Sequence, residues 1–248
     1  MPADTTTLKP TRHVSRAAVG GLAVALIASA AALSGCSTSS GDDSRPAPQT
    51  VVEQYLDAIA DGDASTATAL DAAAVATEND TTGKDTPPDL TTLRTDAVLT
   101  GADSRITDPV ADDGDEAEPG ADADTRRVGF SFALDGKRHT SSLVVHWDDK
   151  ADTWVLQQSL TVALSVTASR SKAETELAAF SLRGLTEPID PDPRTGPLTY
   201  LVYPGVYTVS AGFDTALLAG SADAVTVAAL PTADANVDFT VSTLPSQG

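Results

Sequence analysis

The chain has 248 residues, with 35 acidic and 16 basic side chains, a net charge of −19, one Cys, 5 Phe, 4 Tyr and 2 Trp. That length allows one large domain or two small ones, the acidity argues against a nucleic-acid partner, which needs a basic surface, and a lone Cys excludes an internal disulfide or a multi-cysteine metal site. The 41% hydrophobic content leans on alanine, so any core is built largely from small side chains.

Lys9, Arg12 and Arg16 precede an uncharged stretch from Ala17 to Leu33, which is at the short limit for a membrane span. It ends in Leu33-Ser34-Gly35-Cys36, and a polar run follows at once. These residues resemble a bacterial lipobox of the high-GC Gram-positive type. An ordinary span or secretory signal needs no Cys there, yet the chain's single Cys occupies that position. The resemblance implies that residues 1–35 are a lipoprotein signal peptide and that Leu33, Ser34 and Gly35 are read by the signal peptidase. It implies that Cys36 carries a covalent diacylglycerol with palmitate-type chains, the only attached group expected, and anchors the protein on the extracytoplasmic face of the cell membrane.

Cleavage would remove three of the 16 bases and one of the 35 acids, leaving 13 bases, 34 acids and a net charge of −21. Such a body is repelled by anionic headgroups, so the lipid holds it while the protein stands off. Residues 36–49, rich in Ser, Gly, Asp and Pro, read as a flexible tether.

Val51, Val52, Tyr55, Leu56 and Ile59 fall on one helical face, and Pro48 suits a helix start. Asp61-Gly62-Asp63 breaks this helix, and Asp63 caps a second one carrying Ala67, Leu70, Ala74 and Val75. The spacing predicts a loop over 79–89 and a third short helix from about Asp89 to Leu99. Val128, Phe130, Phe132 and Leu134 then alternate with small residues, as in a strand. Asp135-Gly136 is a two-residue hairpin signal, Leu143, Val145 and Trp147 return, and Trp154-Val155-Leu156 opens a third strand expected to reach about Ser165. Helices followed by strands predict an α+β domain over 50–166.

The run Val51-Val52-Glu53-Gln54-Tyr55-Leu56-Asp57-Ala58-Ile59-Ala60-Asp61-Gly62-Asp63 resembles the first helix and turn of NTF2-like domains, and Trp154-Val155-Leu156 resembles their penultimate strand. The resemblance implies a curved antiparallel sheet around a conical pocket, which in some relatives holds an Asp or His base. Candidates for such a role are Tyr55, Asp57, Asp96, His139 and His146; Tyr55 also reads as a core filler and Asp57 and His146 as surface groups, and no two titratable groups converge by spacing.

Between the helices and the hairpin, residues 108–124 hold eight acids. Carboxylates suit Ca²⁺, but the run departs from D-x-[DN]-x-[DN]-G with its distal Glu and reads instead as a self-repelling surface loop. After Ser169, short strands expected at 177–182, 198–203, 206–210, 224–229 and 237–242 alternate with Pro-rich gaps and predict a small β-sandwich over 170–248. Tyr203-Pro204-Gly205-Val206-Tyr207-Thr208-Val209 resembles a PGxYxV hairpin of envelope sandwich modules. Ser169-Arg170-Ser171-Lys172 matches S-x-x-K, but no S-D-N follows and too little chain remains for a transpeptidase. The expectation is a non-enzymatic envelope lipoprotein that binds the membrane through its lipid and engages an envelope protein or a small ligand. The alternative is an NTF2-like pocket enzyme or a carrier of a small apolar ligand.

Overall fold

The first apolar stripe forms a helix where the spacing places it. In a computed structural model of the chain, α1 runs Gln49–Asp61 and buries Val51, Val52, Tyr55, Leu56, Ala58 and Ile59. Gly62 ends it at φ 84°, its N–H returning to the carbonyls of Ala58 and Ile59. Asp63 then starts α2, Ala64–Thr82. Its carboxylate accepts the Thr66 N–H at 2.8 Å and the Thr66 hydroxyl at 2.7 Å, satisfying a donor the helix end leaves free. Those bonds hold the Asp63 carboxyl below the usual aspartate range. Because α2 continues to Thr82, the start of the expected loop is helical. The structure describes residues 45–82, 88–113, 116–117, 124–170, 173–174, 179–189, 198–212, 224–231 and 235–241, all within one compact unit, Asp42–Gly248.

The third helix differs from expectation. Asp89 to Arg94 is not helical; the Asp89 carboxylate instead accepts the N–H groups of Thr91 and Thr92 at 2.9 and 2.8 Å. The Asp89 carbonyl is taken by the Leu201 N–H at 2.9 Å and Thr95 is extended, at φ −120° and ψ 153°, so no helix runs through from Asp89. α3 is confined to Asp96–Gly101, with the Thr95 hydroxyl accepting the Val98 N–H.

Six strands follow: β1 Ser104–Arg105, β2 Thr107–Ala111, β3 Glu116–Ala117, β4 Thr125–Leu134, β5 Lys137–Asp148 and β6 Thr153–Leu156. One sheet has the order β2-β4-β5-β6, with β3 also paired to β4. The β4–β5 hairpin turns at Asp135 and Gly136, with φ of 50° and 73°, the positive pair that a type I′ turn requires. The apolar face of this sheet packs against α1: Leu56, Ile59, Val128, Phe130, Phe132, Val145 and Leu156 form one core cluster. Each large aliphatic side chain buried there contributes about 1.5–3 kcal/mol.

The third long strand is two strands. β6 stops at Leu156, and β7, Val162–Arg170, belongs to another sheet. Between them the Ser159 N–H donates to Glu78 at 2.9 Å and its hydroxyl donates to Asp71 at 2.9 Å. Both bonds draw the chain toward α2 and out of the ladder.

The remaining strands are β8 Ala173–Glu174, β9 Ala179–Leu182, β10 Leu198–Val202, β11 Gly205–Gly212, β12 Val225–Ala229 and β13 Ala235–Val241. β7 lies between antiparallel β10 and parallel β13. β11 lies between β12 on one side and β1 and β9 on the other. The two sheets enclose one core, Val162, Leu164, Tyr200 and Val202 against Phe180, Leu182, Tyr207 and Val209, which is a sandwich arrangement. Pro204-Gly205 is therefore not a hairpin turn. It is the corner where the chain leaves one sheet for the other, since β10 and β11 pair with different strands.

The architecture is α+β with mostly antiparallel sheets, and its two cores exchange residues. Leu93 and Val98 from the helical half lie in the sandwich core, while Tyr203 from the sandwich half lies in the helix–sheet core. β1 pairs with β11, and Asp89 bridges to Tyr200 beside β10. The boundary expected between 166 and 170 falls inside β7.

Candidate functional site

The tether expected over 36–49 is pinned to the body from Arg45 onward. Arg45 reaches Asp124 at 2.6 Å and Asp149 at 3.4 Å, and its guanidinium lies 4.9 Å from the Trp147 ring centre. The Trp154 indole N–H donates to the Pro46 carbonyl at 2.7 Å. Trp147 and Trp154 meet edge to face at 5.4 Å, so both tryptophans of the chain clamp this strap. Leu33, Ser34, Gly35 and Cys36 lie outside the described residues.

Beneath the strap, Pro46, Val51, Ala69, Leu70, Trp154 and Val155 line a groove of about 350 Å³ between α1, α2 and β6. None of its ten lining residues is charged, in a chain that is 21% charged. A second cleft of about 270 Å³ lies between α1 and β2 and holds Glu53 and Asp57.

The strongest electrostatic feature is inside. Asp71 on α2 is 0% exposed and pairs with Arg94. Its second oxygen accepts the hydroxyls of Tyr55 at 2.8 Å, Ser159 at 2.9 Å and Tyr203 at 3.3 Å. Arg94 also donates to the Tyr203 hydroxyl at 2.8 Å and to the Leu90 carbonyl at 3.2 Å. The Leu160 N–H donates to the Tyr55 hydroxyl at 3.0 Å. Five segments distant in sequence are thus tied at one carboxylate. Burial lifts the Asp71 carboxyl above the usual aspartate value, opposed first by Arg94 and then by the three hydroxyls. Burial works against the Arg94 charge too, but the Tyr203 hydroxyl and Asp71 outweigh it and raise its pKa.

Tyr55 and Tyr203 are 0% and 1% exposed, so this cluster does not face solvent. It acts as a polar knot between α1, α2, the segment before α3, the β6–β7 link and the β10–β11 corner. Arg94 Nε has no hydrogen-bond partner among the described residues.

The sequence-derived candidates do not converge. Tyr55 enters the knot. Asp57 is exposed at the second cleft, and Asp96 accepts the Ser65 N–H at the start of α2. His139 lies over the Phe132 ring at 5.6 Å, beside a cavity of about 50 Å³. His146 Nδ1 lies 3.3 Å from the Thr125 hydroxyl on the outer side of the sheet. Of the acidic stretch, residues 108–113, 116–117 and 124 are described; Asp112 holds the Gly129 carbonyl through its N–H at 2.8 Å. Asp71, Arg94 and Ser159 were not singled out from sequence, and Tyr203 was named only as part of the Tyr203-to-Val209 motif. Asp71 had one readable signal, since it sits among Ala67, Ala74 and Val75 on the apolar stripe of α2.

All four tyrosines have raised pKa values, with burial the first cause in each: Tyr55 well above its usual value, Tyr203 to about 12, and Tyr200 and Tyr207 upward as well. A pKa raised by folding contributes stability that is complete below the unfolded value near 10 and is lost as pH rises through about 12. Tyrosinate absorbance in an alkaline titration is therefore expected to lag beyond pH 10 and to rise together with loss of near-ultraviolet circular dichroism. A smooth titration at the free phenol value with the fold intact would contradict this.

No family model matches the chain, and no curated protein matches it. Among solved structures the chain is similar to GBS52, the minor pilin of the Gram-positive pathogen Streptococcus agalactiae, at 15% identity with a TM-score of 0.28. That match covers 52% of this chain and 64% of the pilin chain, under two thirds of its length. At that level it identifies neither a fold nor a function.

Proposed function

We propose that the protein is a lipid-anchored envelope lipoprotein whose body is a non-enzymatic binding or scaffold module on the outer face of the cell membrane. The observation that carries this reading is Leu33-Ser34-Gly35-Cys36, with the chain's lone Cys behind a basic and then apolar segment. A helix-covered sheet whose interior is packed with Leu56, Ile59, Phe130 and Phe132 supports a module that works through its surface. The helix-then-meander order is what an NTF2-like domain would have, and that finer assignment is part of the proposal. Replacing Cys36 by Ala is expected to abolish labelling with radioactive palmitate and to move the protein from the membrane to the soluble fraction. Membrane association and processing that survive the substitution would overturn the reading.

A further inference from the structure

We infer that the groove beneath the strap is a binding site for one fatty-acyl chain of a membrane lipid, an inference that rests on the lipid-anchored reading above. The argument starts from reach. Only eight residues separate Cys36 from Arg45, so the pinned strap stands at most about 30 Å from the anchor at roughly 3.3 Å per residue. The groove is lined by that strap at Pro46 and Ala47, so even on a body that stands off from the headgroups the tether keeps this surface within that reach of the membrane lipids.

The chemistry of the lining fits the same occupant. A cavity of about 350 Å³ is at the lower end of small-ligand sites, which are mostly apolar with a few polar groups. Val51, Leu70, Trp154 and Val155 supply apolar walls, while Thr50, Gln54 and Thr153 give uncharged polar atoms. Trp154 is buried with its indole N–H bonded to Pro46 and its ring against Trp147, so it forms a fixed apolar wall of the groove. An uncharged groove on a protein of net charge −19 favours a neutral hydrocarbon over a basic or acidic partner.

Trp147 and Trp154 are the only tryptophans, so intrinsic emission reports this site directly. Titration of the full chain with dibrominated stearate below its micelle threshold is expected to quench that emission saturably, with unlabelled stearate restoring it. Ala69→Phe fills the groove from an exposed position of α2, and Val155→Glu places a charge in it; each is expected to weaken binding about tenfold or more, with unchanged far-ultraviolet circular dichroism. Coupled through Cys36 to maleimide lipid in vesicles of brominated phosphatidylcholine, the native chain is expected to be quenched more than either variant. Absent or unsaturable quenching, or equal quenching in native and variant proteins, would overturn the proposal. Quenching that fails while palmitate labelling of Cys36 succeeds removes the groove alone; the reverse outcome leaves an acyl site on a protein that is not lipid-anchored.

Discussion

Replacing Arg94 by Met is expected to destabilise the protein by about 3–5 kcal/mol, because removing one partner of a buried ion pair leaves the other charge uncompensated. Asp71 would then sit 0% exposed with only the hydroxyls of Tyr55, Ser159 and Tyr203. Its carboxyl pKa, already raised by burial, would rise further without the guanidinium. A raised acid contributes stability that is complete below its unfolded value and is lost as pH rises through its folded value. The deficit is therefore expected to be larger at pH 7.5 than at pH 5. Urea unfolding of the single variant and of Asp71→Asn with Arg94→Met checks both points: the double variant should recover part of the loss, since two removed partners leave less stranded charge. A single variant within about 1 kcal/mol of native, on the scale of an exposed pair, would show that the knot is not what joins the two halves.

Gly184→Ala is expected to cost on the order of 3 kcal/mol, combining about 1–2 for a left-handed backbone with about 1–3 for overpacking. Gly184 has φ 97°, and a Cβ there would overlap the Ala97 carbonyl in α3. A Cβ added at Gly101, at the end of α3, would likewise overlap the Arg183 carbonyl, so the turn after β9 and this short helix meet backbone to backbone. Gly136→Ala in the β4–β5 turn is the control. It too has positive φ, at 73°, but an added Cβ meets nothing within 4 Å among the described residues, so it should cost the backbone strain alone. Equal unfolding midpoints for the two variants would show that α3 does not lean on Gly184.

Much of the fold was legible because local rules set it. Val51 to Ile59 repeat at helical spacing, Val128 to Leu134 alternate, Asp135-Gly136 supplies the turn, and the strands after Ser169 lie between turn residues. Each of these depends on residues a few positions apart. The failures occurred where a contact distant in sequence outweighed the local pattern. The Asp89 backbone bonded Thr199 and Leu201 of β10, with Thr95 extended, and no helix ran through, and Ser159 bonded Asp71 and Glu78 and split a strand.

The candidate sites divide in the same way. Cys36 and its lipobox are a linear signal, read from neighbouring residues, and the sequence determined that proposal without help. The groove and the knot are not linear. Asp71, Arg94, Ser159 and Tyr203 span more than half the chain, and the strap meets Trp154 across 108 positions. Spacing along a chain carries no information about such meetings, because they arise only when packing closes the two cores on each other. The sequence thus determined the first two helices, the hairpin and the cysteine proposed as the anchor, while the tertiary structure decided which carboxylate was buried, which arginine answered it and where an uncharged groove opened beside the strap.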